Sequence, residues 1–171
     1  DNIDWRKLVY LVSLRLLKRI SSRKDSKESL QCLIIDDTDL PKTGFKTEMI
    51  GRIYSHVLHR SILGFKGLFL CHTDGKTQTL LDFSLHGEEG KNPEKKQGLT
   101  DKQRKARFSK KRYGDSAVNT RIKEYRQNKI NRSIEMVRES IRRGIRFDYL
   151  LVDSWFTCAD LLNFICSRHL K

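Results

Sequence analysis

The chain has 171 residues, of which 37% are apolar, and 35 Lys and Arg stand against 21 Asp and Glu for a net charge of +14. That length supports one folded domain with its own core, and the surplus of cations points to a polyanionic partner. No apolar run reaches the ~18–20 residues needed to span a bilayer, and Asp1-Asn2-Ile3-Asp4-Trp5 is no signal peptide, so neither a membrane nor a secretory setting is expected.

In chain order, residues 4–20 read as a helix. Trp5, Leu8, Val9, Val12, Leu16 and Ile20 recur at helical spacing, Leu11, Leu14 and Leu17 widen that face, and Arg6, Lys7, Arg15, Lys18 and Arg19 take the other. A polar linker covers 21–29. Residues 30–36 read as a strand whose successive apolar residues, Cys32-Leu33-Ile34-Ile35, predict burial on both faces. The run stops at Asp36-Asp37-Thr38-Asp39, and a turn at Pro41 and Gly44 follows. Residues 52–71 are strand-like. Asp74-Gly75 marks a tight turn within 72–76, and 77–86 return as the second arm of an antiparallel hairpin.

Residues 87–129 change character, being charged and poor in aliphatics. Nine cations lie between Lys95 and Arg112 (Lys95, Lys96, Lys102, Arg104, Lys105, Arg107, Lys110, Lys111 and Arg112), with Asp101 the one acid. This segment is the expected DNA-backbone contact. A helix is expected over 121–143 from the stripe Ile122, Tyr125, Ile130, Ile134, Val137 and Ile141, with Gly144 at its C′ position. Residues 147–153 form a second buried strand closed by Asp153. Thr157-Cys158-Ala159-Asp160 fits a capping box, and a last helix runs through Leu161, Leu162 and Ile165 toward Lys171. The four cysteines, Cys32, Cys71, Cys158 and Cys166, form no C-x-x-C pair and read as reduced core residues. A zinc site drawn from Cys71, His72, His56 and His59 matches no common spacing.

The second buried strand follows a helical crossover, so it can lie parallel to the first. The expected class is α/β, a mixed sheet flanked by helices. Its two buried strands both end in acids, and parallel neighbours present those ends on one edge, where open α/β sheets bind ligands. Carboxylates brought that close repel unless a cation lies between them, and hard divalent ions with oxygen ligands suit them. Beside a basic surface, such a pair is suited to in-line attack at a phosphodiester. Strand alternation leaves the choice between Asp36 and Asp37 open, and Asp82 is a spare acid. No G-x-S-x-G elbow surrounds Ser154, and no phosphate-binding G-x-x-x-x-G-K-[ST] loop is present.

Ile34-Ile35-Asp36-Asp37-Thr38-Asp39-Leu40-Pro41-Lys42-Thr43-Gly44, with Gly51-Arg52-Ile53-Tyr54-Ser55-His56 after it, resembles bacterial transposases of the insertion-sequence 4 group. Tyr149-Leu150-Leu151-Val152-Asp153-Ser154-Trp155-Phe156, with Ala159-Asp160, looks like their second acidic motif. The resemblance spans roughly residues 30–171. It implies a ribonuclease-H-like fold, DNA strand cleavage and transfer during recombination of a mobile element, and a DDE triad holding two Mg²⁺, with Mn²⁺ as substitute. The first acid of that pattern directly precedes a Thr, which selects Asp37, and the second maps to Asp153, so both are the expected catalytic and metal-binding residues. The third, a Glu in a Tyr-Arg-Glu-Lys-type signature, has no counterpart before Lys171, and both chain ends read as cut within helical patterns.

The resemblance further implies element ends and target DNA as partners, a homodimer assembled on DNA, no small-molecule cofactor and a bacterial cytoplasmic setting. Residues 1–29 are then the tail of an N-terminal helical region, 30–171 a partial catalytic domain, and 87–129 a basic insertion between the hairpin and the second acidic strand. Two other readings stay open: a nuclease of the same fold, and an inactive DNA-binding relic or regulator lacking the third carboxylate.

Overall fold

A computed structural model describes residues 3–21, 29–44, 46–88, 102, 114 and 116–171. Apart from Lys102, an exposed helical residue, the basic side chains expected to contact DNA lie outside the described residues. Besides Lys102, the described residues form four helices and five strands in the order α1 (Trp5–Ser21), β1 (Cys32–Pro41), β2 (Gly51–Ser55), β3 (Arg60–Thr73), β4 (Gln78–His86), α2 (Ala117–Tyr125), α3 (Lys129–Arg142), β5 (Tyr149–Val152) and α4 (Ala159–Ser167), with a 3-10 turn at Ser154–Phe156. The sheet runs β2-β3-β1-β5, with β4 paired to β3. It is mixed: β5 lies parallel to β1, and β2 antiparallel to β3. No described helix is long and apolar enough to cross a membrane.

The described residues fall into two compact units. One is drawn from Asp37–Gly67 and Ser84–Gln127, the other from Asp4–Asp36, Leu68–Phe83 and Asn128–Lys171. In the first, Met49, Ile50, Phe65 and Tyr125 make a small core, with Leu40, Leu63, Leu85 and Ile122 against it. Gly64 allows a close approach there, since a Cβ on it would lie 2.3 Å from the Leu40 carbonyl oxygen. β1 runs five residues past Asp36, where the sequence predicts a stop. Asp39 on that extension pairs with Lys66 of β3, and the Lys42 amide donates to the Leu63 carbonyl at 2.9 Å, so the acid-rich stretch stays on a strand with the Asp39 charge answered.

The second unit holds the larger core. Leu33, Ile35, Leu68, Leu70, Leu81, Ile134, Met136, Val137, Phe156 and Leu161 are all buried in it. Alternation along β1 sends Leu33 and Ile35 into this cluster and leaves Cys32 and Ile34 half-buried, so the strand is not covered equally on both faces as its unbroken apolar run implied. β5 departs further from expectation. Leu150 is buried, yet Tyr149 and Leu151, which alternate to the other face, are exposed, and β5 ends the sheet among the described residues. The Leu150 amide meets the Lys171 carbonyl at 2.8 Å.

α1 is a helix as predicted, but its apolar face points the other way. Trp5, Leu8, Leu11, Val12 and Leu16 are 46–52% exposed. The helix is held by its opposite side instead: Arg6 forks onto Asp82, with Nε to Oδ1 at 2.8 Å and Nη2 to Oδ2 at 2.9 Å, the Ser13 hydroxyl donates to the Leu80 carbonyl, and Leu17 packs on the core. Charge-assisted bonds thus decide the face that docks.

The helix expected over 121–143 is two helices. α2 starts on Ser116, whose side chain accepts from the Asn119 amide, and stops at Tyr125. α3 restarts at Lys129 under Asn128, whose side chain accepts from the Ile130 amide at 2.8 Å. An Asn that satisfies an orphan helix amide favours a new N-terminus over a continuous helix. α3 ends as predicted, with Gly144 at C′ and φ of 73°, while the Gly144 and Ile145 amides close on the Ile141 and Ser140 carbonyls.

α4 begins one residue later than the capping box predicts. Its N-cap is Cys158, with no side-chain bond to the helix, and Thr157 closes the preceding 3-10 turn. It also stops at Ser167, short of Lys171. His169 takes the left-handed conformation (φ 53°), and the His169 and Leu170 amides turn back to the Cys166 and Ile165 carbonyls.

Candidate active site

The parallel ladder between β1 and β5 fixes the level of the acids. Cys32, Leu33, Ile34 and Ile35 stand opposite Tyr149, Leu150, Leu151 and Val152. Asp36 and Asp153 are the residues directly after the last paired step, Asp36 still on β1 and Asp153 just past the end of β5; paired strands are spaced about 4.8 Å apart. Both acids are exposed and both belong to the second unit. Asp36 also makes its charge felt on β3: burial raises the Cys71 thiol above its ordinary pKa, and the Asp36 carboxylate raises it further.

The backbone around Asp153 is well braced. Its carbonyl accepts from the Phe156 amide at 2.9 Å, and its Oδ1 accepts from the Ser154 hydroxyl at 3.0 Å. Phe156 is fully buried, so the turn that carries the acid out of β5 is pinned by an aromatic anchor two residues beyond Ser154. Trp155 remains exposed, with the Lys129 ammonium 4.1 Å from its ring centroid. From sequence, Ser154 and Trp155 carried no role beyond membership of the second acidic motif, and Lys129 was not linked to it. An aromatic pair directly behind a strand-end acid was the available signal.

Asp37 follows Asp36 on β1, is half-buried, and belongs to the first unit. Its neighbour Asp39 is committed elsewhere. Burial lifts the Asp39 carboxyl, but the bond to Lys66, a bond from Ser55 and the charges of Lys66 and His56 bring it below the usual carboxylate range. Asp82 is committed too. Burial pushes its carboxyl up, and Arg6 offsets this only in part, while Arg132 Nη2 approaches Oδ2 at 2.8 Å. Asp82 therefore serves as an anchor for α1 and α3, which removes it as a spare ligand.

Among the described residues no three His, Cys, Asp or Glu side chains converge as a metal-holding group. What the β1 and β5 ends offer is a set of carboxylate oxygens, the hard donors that Mg²⁺ and Mn²⁺ prefer. The donor chemistry fits those ions, as an incomplete set.

Acids at the carboxyl ends of adjacent parallel strands, in a mixed sheet with helices and a strongly cationic chain, are features suited to a nucleic-acid-processing α/β protein. The particular family is shown directly: residues 2–171 match the DDE superfamily endonuclease family, and the chain belongs to it. Enzymes of this family typically use divalent metal ions, and the domain implies a DNA substrate. No curated protein and no solved structure matches the chain.

Proposed function

We propose that this chain is part of the catalytic core of a DNA transposase of the insertion-sequence 4 group, cutting DNA at the ends of a mobile element and joining it to target DNA. The observation that carries the reading is the pair of acidic strand ends, Asp36-Asp37 and Asp153, on strands that lie side by side and parallel. Asp153 and Asp37 would hold divalent ions. When bound, those ions supply charge stabilisation for the attacking and leaving oxygens of the phosphodiester. The chain's own part is to present the carboxylates: the β1–β5 ladder holds the two acid-ended strands side by side, and buried Phe156 fixes the exit from β5. On this reading residues 1–29 belong to a helical region ahead of the catalytic domain, and 87–129 are a basic insertion.

The cations from Lys95 to Arg112 then grip the DNA backbone. Such contacts carry no sequence information and release counterions, so binding through about five of them falls with salt at a log–log slope of roughly −4 to −5. Replacing Lys102, Arg104, Lys105, Arg107 and Lys110 together flattens that slope in a fluorescence-anisotropy titration. An unchanged slope would assign DNA binding to another part of the chain.

The deciding experiment is a strand-cleavage and strand-transfer assay of the full protein on its own element ends with Mg²⁺ or Mn²⁺. Asp153→Asn abolishes both products, and parallel Asp36→Asn and Asp37→Asn variants identify the first acid by the one that is silent. Products that persist in Asp153→Asn would overturn the reading. A second reading, an endonuclease that cuts without joining, is favoured by the family the chain belongs to. Cleavage without a joined product in the same assay selects it.

A further inference from the structure

The 3-10 turn after Asp153 carries two adjacent aromatic rings with opposite fates. Phe156 is fully buried, whereas Trp155 keeps 56% of its surface in water. The rings meet edge to face, 5.0 Å apart at 86°, so the buried ring orients the exposed one. Lys129, the first residue of α3, brings its ammonium to 4.1 Å from the Trp155 centroid. Single exposed apolar side chains are ordinary on protein surfaces. This one is pinned by a core residue, carries a cation over its ring, and sits two residues from an acidic strand end, a reach of at most about 7 Å.

A flat, oriented π surface next to a cation matches the two parts of a nucleotide, the base and the phosphate. Aromatic stacking accepts any base, which suits an enzyme that must hold a strand end independently of its sequence. The geometry points to a strand-positioning role for this pair: Trp155 stacks on an unpaired base of the DNA strand being cut, and Lys129 meets the adjoining phosphate. This rests on the DNA-cutting reading above and adds a contact to it. The expected substrate is therefore DNA with a frayed or single-stranded end at the cut, in preference to a closed duplex.

The test uses the full protein carrying Trp5→Phe, so that Trp155 is the remaining tryptophan of this sequence, with two probes: a blunt duplex and the same duplex bearing a three-base single-stranded overhang. The overhang quenches Trp155 emission on binding, and the blunt duplex does so weakly. Trp155→Ala weakens binding of the overhang by about 5- to 100-fold while leaving the blunt duplex within about twofold. Trp155→Phe recovers most of the loss, which a merely structural role would not produce.

Saturated binding of the overhang with no change in Trp155 emission overturns the inference, as does an equal loss on both probes. Nicking assays run beside the titrations separate this from the parent reading. If Asp153-dependent nicking persists while the Trp155 signal is silent, the stacking contact alone falls. If neither probe binds, both fall.

Discussion

Asp82 and Asp153 are carboxylates of the same compact unit in opposite settings. Asp82 is enclosed between Arg6 and Arg132, with both oxygens engaged at 2.8–2.9 Å. Asp153 is exposed at a strand end, and among the described residues its carboxylate accepts from Ser154 and has no cationic partner. A buried acid has to be answered inside the protein, because its desolvation is repaid only by partners held close. An exposed acid needs no such answer, because water solvates the lone pairs that Ser154 leaves open. On the proposed reading, the difference separates the carboxylate that holds the fold from the one left for chemistry.

The sharpest way to break this comparison is to remove each acid in turn. Asp82→Ala strands two guanidinium groups, one of them largely buried, and is expected to cost about 3–5 kcal/mol, the scale for one partner lost from a buried ion pair. Asp153→Asn keeps shape and removes charge at an exposed site, so its stability should stay within about 0.5 kcal/mol of wild type. Urea unfolding of both variants reads this. A comparable loss in the two would show that Asp153 is also structural.

Phe156→Ala tests what holds Asp153 in place. The ring is fully buried, so the expected loss is about 3–5 kcal/mol, of the same order as Asp82→Ala but from a cavity instead of an orphaned charge. Phe156→Leu should recover much of it in the same unfolding experiment, whereas no substitution that leaves Arg6 and Arg132 facing each other should rescue Asp82.

How far sequence carried the reading follows from the same contrast. β1, β5, the hairpin and the Gly144 helix stop were legible because each has a local cause: an apolar run, the Asp74-Gly75 turn, whose Asp74 carboxylate accepts from the Lys76 amide at 3.0 Å, and a residue tolerant of positive φ. The docking face of α1 was not. Its anchors, Arg6 and Ser13, reach Asp82 and Leu80, 76 and 67 residues away, and helical periodicity carries no record of such partners. The α2–α3 break was readable in principle from Asn128, but the apolar stripe on both sides outweighed one polar residue. At the site, both acidic strand ends were visible as sequence. The register that puts Ile35 opposite Val152, the residues just ahead of Asp36 and Asp153, was not, since it depends on the pairing of two strands more than 100 residues apart.

A smaller effect concerns pH. His72 is buried, and its Nε2 lies 3.2 Å from the Arg146 carbonyl, which the neutral ring meets as a donor. Burial holds its pKa below the ordinary histidine value, and the carbonyl and Asp74 offset this only in part. The unfolded chain therefore takes up this proton at a higher pH than the folded one. The contribution is fully present above about pH 6.5 and is lost as pH falls through that value toward the folded pKa. Melting temperatures from pH 7.5 to 5 should decline less steeply in His72→Gln than in wild type. Parallel curves would mean that the ring titrates freely in the fold.

The smallest expected effect lies next to Asp153. Sequence alone assigns Thr157 the N-cap of the last helix, and losing such a cap costs about 1 kcal/mol. In the structure Thr157 is exposed and closes the 3-10 turn through its backbone, with its amide 3.0 Å from the Ser154 carbonyl. The N-cap is Cys158, which gives the helix no side-chain bond. Thr157→Ala leaves that backbone bond intact and removes no partner from a helix amide. It should shift stability by less than about 0.5 kcal/mol, the range of ordinary surface substitutions. A full cap loss would mean that α4 starts at Thr157, with the 3-10 turn behind Asp153 rebuilt. The brace on the acid would then come from the helix N-terminus as well as from the buried ring. An unchanged midpoint leaves Phe156 as the anchor that lets an exposed carboxylate keep its position with no charged partner among the described residues.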